Sequence, residues 1–334
     1  MYDERADHYR GIDRGSVSII AEFCAQAEVA ESTRHKYRMH LTEFARWLAH
    51  PRVARDGEAP RLLDVAPGDI SRFMAYLRGG ERFAAHAHYR IKGDLSASAR
   101  KNALSSIRSF YRYLVSVQVL KIDPSAPVRP PRVTVKSGLH LTGEELRALL
   151  DAPGGPRERI ATFLLVYTAA RADEIRRVRW SDVDLEARTI TVHGKGDKYR
   201  VIDIHGALAA ELRRWWFCLE EQSHRRSGLR EALADPECNY VLLTPSGRQI
   251  GRNAMSRHVK ARSRRVGLRP REGDGTAVSP HALRRSFATL MLNDGHHLDA
   301  VADVLGHVSV DTTRKHYAFA SNARRRATIE AFNV

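Results

Sequence analysis

The chain has 334 residues, ample for two domains with separate cores, and its 43% hydrophobic and 28% charged fractions are those of an ordinary globular protein. No apolar run approaches eighteen residues, and the opening Met-Tyr-Asp-Glu-Arg has no leader-like pattern, so the expectation is a cytoplasmic protein with no membrane contact. Lys+Arg 55 against Asp+Glu 39 gives a net charge of +16, carried mostly by arginine, which points to a polyanionic partner and to nucleic acid first.

Residues 1–15 read as an N-terminal extension and 16–122 as a helical domain. Val17, Ile20, Ala21, Phe23 and Cys24 give a first apolar face. Tyr37, Leu41, Phe44 and Leu48 recur at helical spacing in a second helix, with Ser32 or Thr33 as its expected cap and Pro51 as its stop. Asp69-Ile70 opens a third, with Phe73, Met74 and Leu77 inward and Gly79-Gly80 at its end. Ser96 or Ser98 caps a fourth, which carries Leu104, Ile107, Phe110, Tyr111 and Leu114 on one face. The polar faces bear Arg34, Lys36, Arg38, Arg100, Lys101 and Arg108, a candidate DNA-contacting set whose simpler reading is a solvated surface. Pro124, Pro127, Pro130 and Pro131 favour extended backbone, so a linker is placed at 123–140.

The second domain, 141–334, opens on a capping box of Thr142 and Glu145 before Leu146, Leu149 and Leu150. A buried helix spans Ile160 to Thr168, and another starts at Ala172. Thr189–Val192 and Tyr199–Ile204 alternate apolar with polar residues and flank a hairpin turn, Gly194-Lys195-Gly196-Asp197. Tyr240 to Thr244 is a candidate third strand, and the chain beyond Gly251 reads helical. The three cysteines, Cys24, Cys218 and Cys238, are scattered without metal-ligand spacing, so no metal is expected.

Three segments carry chemistry. Thr168-Ala-Ala-Arg171-Ala-Asp-Glu174 places an arginine at the exit of an apolar helix, with Glu174 as its partner or support. Ser279-Pro280-His281-Ala-Leu-Arg284 sets a proline behind a serine cap, a strong helix start, and puts His281 and Arg284 on one face near its positive end. An imidazole and a guanidinium at a helix N-terminus suit a phosphate. Leu305-Gly306-His307 leads to Thr312-Thr313-Arg314-Lys315-His316-Tyr317, with Asp311 or Thr312 capping a short helix around Tyr317. Lys195, between two glycines at a hairpin tip, is free to reach into a groove and act as a general acid.

The order Arg171, Lys195, His281-x-x-Arg284, Gly306-His307, Tyr317 resembles the catalytic domain of the tyrosine recombinases of the phage-integrase type. Where that family usually reads Thr-Gly-Leu-Arg, this chain reads Thr168-Ala169-Ala170-Arg171, and the lost glycine bears on the turn that presents Arg171. The resemblance implies a mainly α, two-domain protein, with a helical SAM-like core-binding domain and an α+β catalytic domain holding a small antiparallel sheet, together a C-shaped clamp on DNA. It implies that Arg171 and Arg284 grip the scissile phosphate, Lys195 protonates the leaving oxygen, His281 and His307 hydrogen-bond or shuttle protons, and Tyr317 is the nucleophile. No cofactor is implied. The implied partners are double-stranded DNA, further copies of the chain in a homo-tetramer, and an accessory DNA-bending or directionality protein. Two alternatives stay open: a type IB topoisomerase-like enzyme, and an inactive DNA-binding member of the fold.

Overall fold

A computed structural model describes residues 12–54, 58–79, 95–133, 139–194, 199–268 and 278–306. The chain forms two compact units, Met1–Val135 and Lys136–Val334.

The first unit is helical: α1 (Arg14–Gln26), α2 (Glu31–Leu48), α3 (Pro67–Tyr76) and α4 (Ala97–Ser116). Their apolar faces close on one aromatic-rich core, where Phe23 meets Phe110 edge-on at 5.5 Å and Phe44 lies 4.9 Å from Phe73. Asp13 caps α1 by accepting from the Ser16 N–H at 2.8 Å, and Ser96 caps α4 by accepting from Ala99 at 3.2 Å. The expected Ser32 or Thr33 cap on α2 is corrected. That helix begins earlier, at Glu31, because the Ala30 carbonyl takes the N–H groups of both Thr33 and Arg34, and no side chain caps it. Asp69 sits in the third position of α3 and does not open it. Pro67 takes the first position, while buried Asp69 reaches back to the Ala66 N–H at 2.8 Å.

His40 of α2 meets Ser106 of α4, with Nδ1 to Oγ at 2.8 Å. Burial, helped by the charge of Lys36, pushes its pKa down from 6.5 to about 4. The unfolded chain therefore takes up this proton at a higher pH than the folded one. Stability from neutral His40 is complete above about pH 6.5 and is lost as the pH falls toward 4, up to about 3 kcal/mol. Urea titrations at pH 7 and 4.5 are expected to show this decline, and His40→Gln is expected to flatten it. An equal pH dependence in both proteins would remove His40 as the cause.

The second unit is built around α6 (Pro156–Thr168), which follows α5 (Gly143–Asp151). Ile160, Ala161, Leu164 and Leu165 of α6 are buried, and the helix packs against α5. After it come α7 (Ala172–Arg176), a 3-10 turn at Trp180–Asp182, and strands β1 (Val183–Asp184), β2 (Thr189–His193) and β3 (Tyr199–Asp203). The helices α8 (Gly206–His224), α9 (Ser227–Ala234), α10 (Ala254–Arg265), α11 (Pro280–Asn293) and α12 (Leu298–Leu305) complete it, and α8, α10 and α11 also pack on α6. The strands form one antiparallel sheet in the order β1-β2-β3, with Ile190 opposite Ile202 and Val192 opposite Arg200. The expected capping box on α5 forms, with Thr142 and Glu145 each holding the other's N–H.

The candidate third strand at Tyr240 to Thr244 is a second correction. It makes only isolated bridges, Tyr240 to Arg179 and Leu243 to Gln249, and the third strand is Val183–Asp184. The Val241 carbonyl is taken instead by Trp215 Nε1 at 2.7 Å, so the segment is tied to α8. The mainly helical reading with a small antiparallel sheet matches the observed structure. The turn carrying Lys195, and the segment holding His307 and Tyr317, lie outside the described residues.

Candidate active site

The site begins where α6 ends. Buried Thr168 closes the helix by donating to the Leu164 carbonyl at 2.6 Å and accepting from the Ala170 N–H at 3.2 Å. Ala169 then takes up the left-handed conformation, φ 49° and ψ 16°. An alanine can adopt it at a cost of about 1 kcal/mol. The glycine expected from the family pattern is thus replaced without loss of the turn.

Arg171 stands at the N-cap of α7, and Glu174 fixes it twice. One carboxylate oxygen, Oε2, accepts the Arg171 backbone N–H at 2.8 Å, and the other, Oε1, accepts Nη1 at 2.7 Å. The Glu174 side chain is 3% exposed, whereas that of Arg171 is 50% exposed, so the carboxylate is an internal anchor and the guanidinium faces outward. Arg200 of β3 also donates to Glu174 Oε2, at 2.8 Å. Burial alone would push the Glu174 carboxyl up. The hydrogen bonds from Arg200 and Arg171 outweigh it and hold the pKa at about 2.

On the facing side, Ser279 caps α11 by accepting from the Ala282 N–H at 3.3 Å, with Pro280 in the first position. Exposed His281 follows in the first turn. Arg284 points inward: Nη1 donates to the Ala169 carbonyl at 2.8 Å and Nη2 to the Leu305 carbonyl at 2.6 Å. One guanidinium therefore ties α11 to the end of α6 and the end of α12. Arg171, His281 and Arg284 all line a cleft of about 250 Å³, joined by Ser279 and by Ser256 of α10. The cleft thus gathers two guanidinium groups, an imidazole and the positive end of a 14-residue helix, groups whose chemistry suits an anion.

Of the predicted site residues, the structure brings together Arg171, Glu174, His281 and Arg284. Sequence reasoning missed Arg200 and Ser256. Strand alternation holds a signal for Arg200, which shares its parity with buried Ile202. Nothing local marks Ser256.

The candidate DNA-contacting residues belong to the first unit and differ among themselves. Lys36 and Lys101 are exposed. Arg34 is committed to Glu31 at 2.6 Å and the Ala27 carbonyl at 3.3 Å, Arg100 to the Leu95 carbonyl at 3.3 Å, and Arg108 to the Val128 carbonyl. Arg38 is half-buried and interacts with the Cys24 thiol. Among the described residues no cluster of His, Cys, Asp and Glu is arranged to hold a metal ion, and no helix is long and apolar enough to cross a membrane.

Residues 140–324 match the model of the phage integrase family, and residues 21–118 match that of the phage integrase N-terminal SAM-like domain. The chain is 30% identical over 295 residues to the tyrosine recombinase XerC of Xanthomonas axonopodis pv. citri (strain 306), covering 86% of this chain and 87% of that protein. It shares its fold with the XerH site-specific recombinase bound to palindromic difH substrate in a post-cleavage complex, at a TM-score of 0.67 and 20% identity over 96% of this chain and 90% of that one. The fold is also that of the lambda integrase tetramer bound to a Holliday junction, at a TM-score of 0.62 and 16% identity over 92% and 80% of the two chains. The chain belongs to the phage integrase family, that is, to the tyrosine recombinases.

Proposed function

We propose that the protein is a site-specific DNA recombinase that breaks and rejoins strands through a covalent bond between Tyr317 and a 3′-phosphate. The observation that carries this reading is the cleft where Arg171, His281 and Arg284 converge at the start of α11. In the proposed step the Tyr317 phenol oxygen attacks phosphorus and the bond to the 5′-oxygen breaks. Lys195 supplies the proton to that leaving oxygen. The phenol proton passes to a neighbouring base, for which His281 and His307 are the candidates. The two guanidinium groups neutralise charge on the non-bridging oxygens as it grows in the transition state. The phosphodiester energy stays in the phosphotyrosine, so the 5′-hydroxyl of another strand reverses the step and exchanges the strands.

Exchange between two duplexes breaks four strands, which calls for four nucleophiles and hence four copies of the chain on DNA. A net charge of +16 suits such an assembly. Lys36, Lys101 and the other basic residues of the first unit are proposed to hold the DNA backbone, and an accessory DNA-bending protein would set the direction.

The test is a nicked suicide substrate carrying candidate sites, incubated with the wild type and with Tyr317→Phe in the presence of chelator. A covalent adduct is expected from the wild type alone, with DNA binding retained in the variant. An adduct formed equally by Tyr317→Phe would assign the nucleophile elsewhere. Specific binding without any adduct from either protein would favour an inactive DNA-binding member of the fold.

A further inference from the structure

Arg200 leaves β3 on the face shared with Ile202, and its side chain is only 18% exposed. Its Nη2 bonds the same Glu174 oxygen that accepts the Arg171 backbone N–H. The rest of the guanidinium lies against Gly306, the residue that ends α12 with φ 63°. A Cβ on Gly306 would stand 2.7 Å from Arg200 Nη1 and 2.8 Å from both Cζ and Nε, so this approach requires glycine. Among the described residues, Nε is buried there with no hydrogen-bond partner. An orphaned buried donor is costly, so a guanidinium held in this place calls for a physical account.

Each of its two neighbours, Glu174 and the Gly306 turn, adjoins an arginine that lines the cleft. Glu174 sets Arg171, and the carbonyl just before Gly306, that of Leu305, accepts from Arg284. Building on the function proposed above, we infer that Arg200 is a positioning residue for strand cleavage, registering Arg171 and Arg284 against one another through Glu174 and the Gly306 turn. It does not line the cleft itself. Its influence runs through the carboxylate and the backbone, so its loss lets Arg171 swing and the end of α12 shift. A displacement of about 1 Å at a group that holds a reacting phosphate costs on the order of 100-fold in rate.

Arg200→Met removes the hydrogen bond to Glu174 and keeps much of the bulk, and Arg200→Lys keeps a charge without the planar fork. Among the described residues, the charged groups facing Glu174 are Arg171 and Arg200. The readouts are single-turnover cleavage across pH, DNA affinity, and the Glu174 carboxyl titration followed by carbon-13 NMR in the full chain, assigned with Glu174→Gln. Arg200→Met is expected to slow cleavage about 100-fold with DNA affinity held, and to raise the Glu174 titration by at least about one pH unit. Its cleavage should also fail first on the acid side, with Arg200→Lys intermediate. An unmoved Glu174 titration, or a rate loss equal at every pH, would overturn the inference. A shifted titration in a protein whose wild type forms no adduct would instead sink the recombinase reading and leave the link from Arg200 to Glu174 in place.

Discussion

Arg284→Ala is expected to lower single-turnover strand cleavage by about 10³-fold while weakening DNA binding far less. The reasoning starts from its two bonds, to the Ala169 and Leu305 carbonyls, which present the guanidinium at the cleft in one orientation. In the proposed step its charge counts most when the phosphate gains negative charge in the transition state. Alanine would also leave two buried carbonyls without their donor, a cost of roughly 2–4 kcal/mol, so rates are to be compared at a temperature where circular dichroism shows the variant folded. Arg284→Lys separates the two effects. It keeps a positive charge but cannot fork to two carbonyls, and it is expected to recover part of the stability and little of the rate. Equal losses of binding and cleavage in Arg284→Ala would exclude a role specific to the transition state.

The second large effect is expected from Glu174→Gln. The carboxylate accepts three hydrogen bonds, two from Arg171 and one from Arg200, inside a site where it is 3% exposed. Glutamine has one acceptor oxygen and must turn an NH₂ group toward a guanidinium. The cost expected is about 3 kcal/mol, as when a buried ion pair loses one partner. The pH dependence follows from the depressed pKa. The unfolded carboxyl protonates near 4.5 and the folded one near 2, so its stabilisation is complete above about pH 4.5 and lost as the pH falls through 2. Urea unfolding at pH 7 and at pH 2.5 should therefore show the gap between wild type and variant narrowing in acid. A gap of constant size would mean that the charge of Glu174 is not what stabilises the site.

The parts of this site that are legible in the residues are those written in local code. Ser279-Pro280 and the pair Thr142 and Glu145 announce their helix starts within four positions, and both form as the code says. The start of α2 is not legible, because Ser32 and Thr33 are good caps by type while the backbone of Ala30 does the capping. The short β1 escapes as well, since two residues carry no alternation, and its pairing depends on β2 arriving alongside. Arg34, Arg100 and Arg108 read as surface charges on helix faces. In the fold their stems bend back to main-chain carbonyls, which only the packed neighbours reveal. Arg200 falls between these cases: strand parity turns it inward, but its partners lie on α7 and at the end of α12.

The acceptors that Arg284 uses have a consequence for how such a site withstands genetic drift. A carboxylate partner vanishes with a single codon change, as Glu174 would. A main-chain carbonyl is supplied by whatever amino acid the codon specifies, so no substitution at 169 or 305 can delete the acceptor, only displace it. Selection at position 169 therefore bears on torsion angles more than on side-chain identity, and the alanine found there, at φ 49°, is one tolerated answer. A guanidinium seated on peptide oxygens can stay in register while the lettering around it is rewritten.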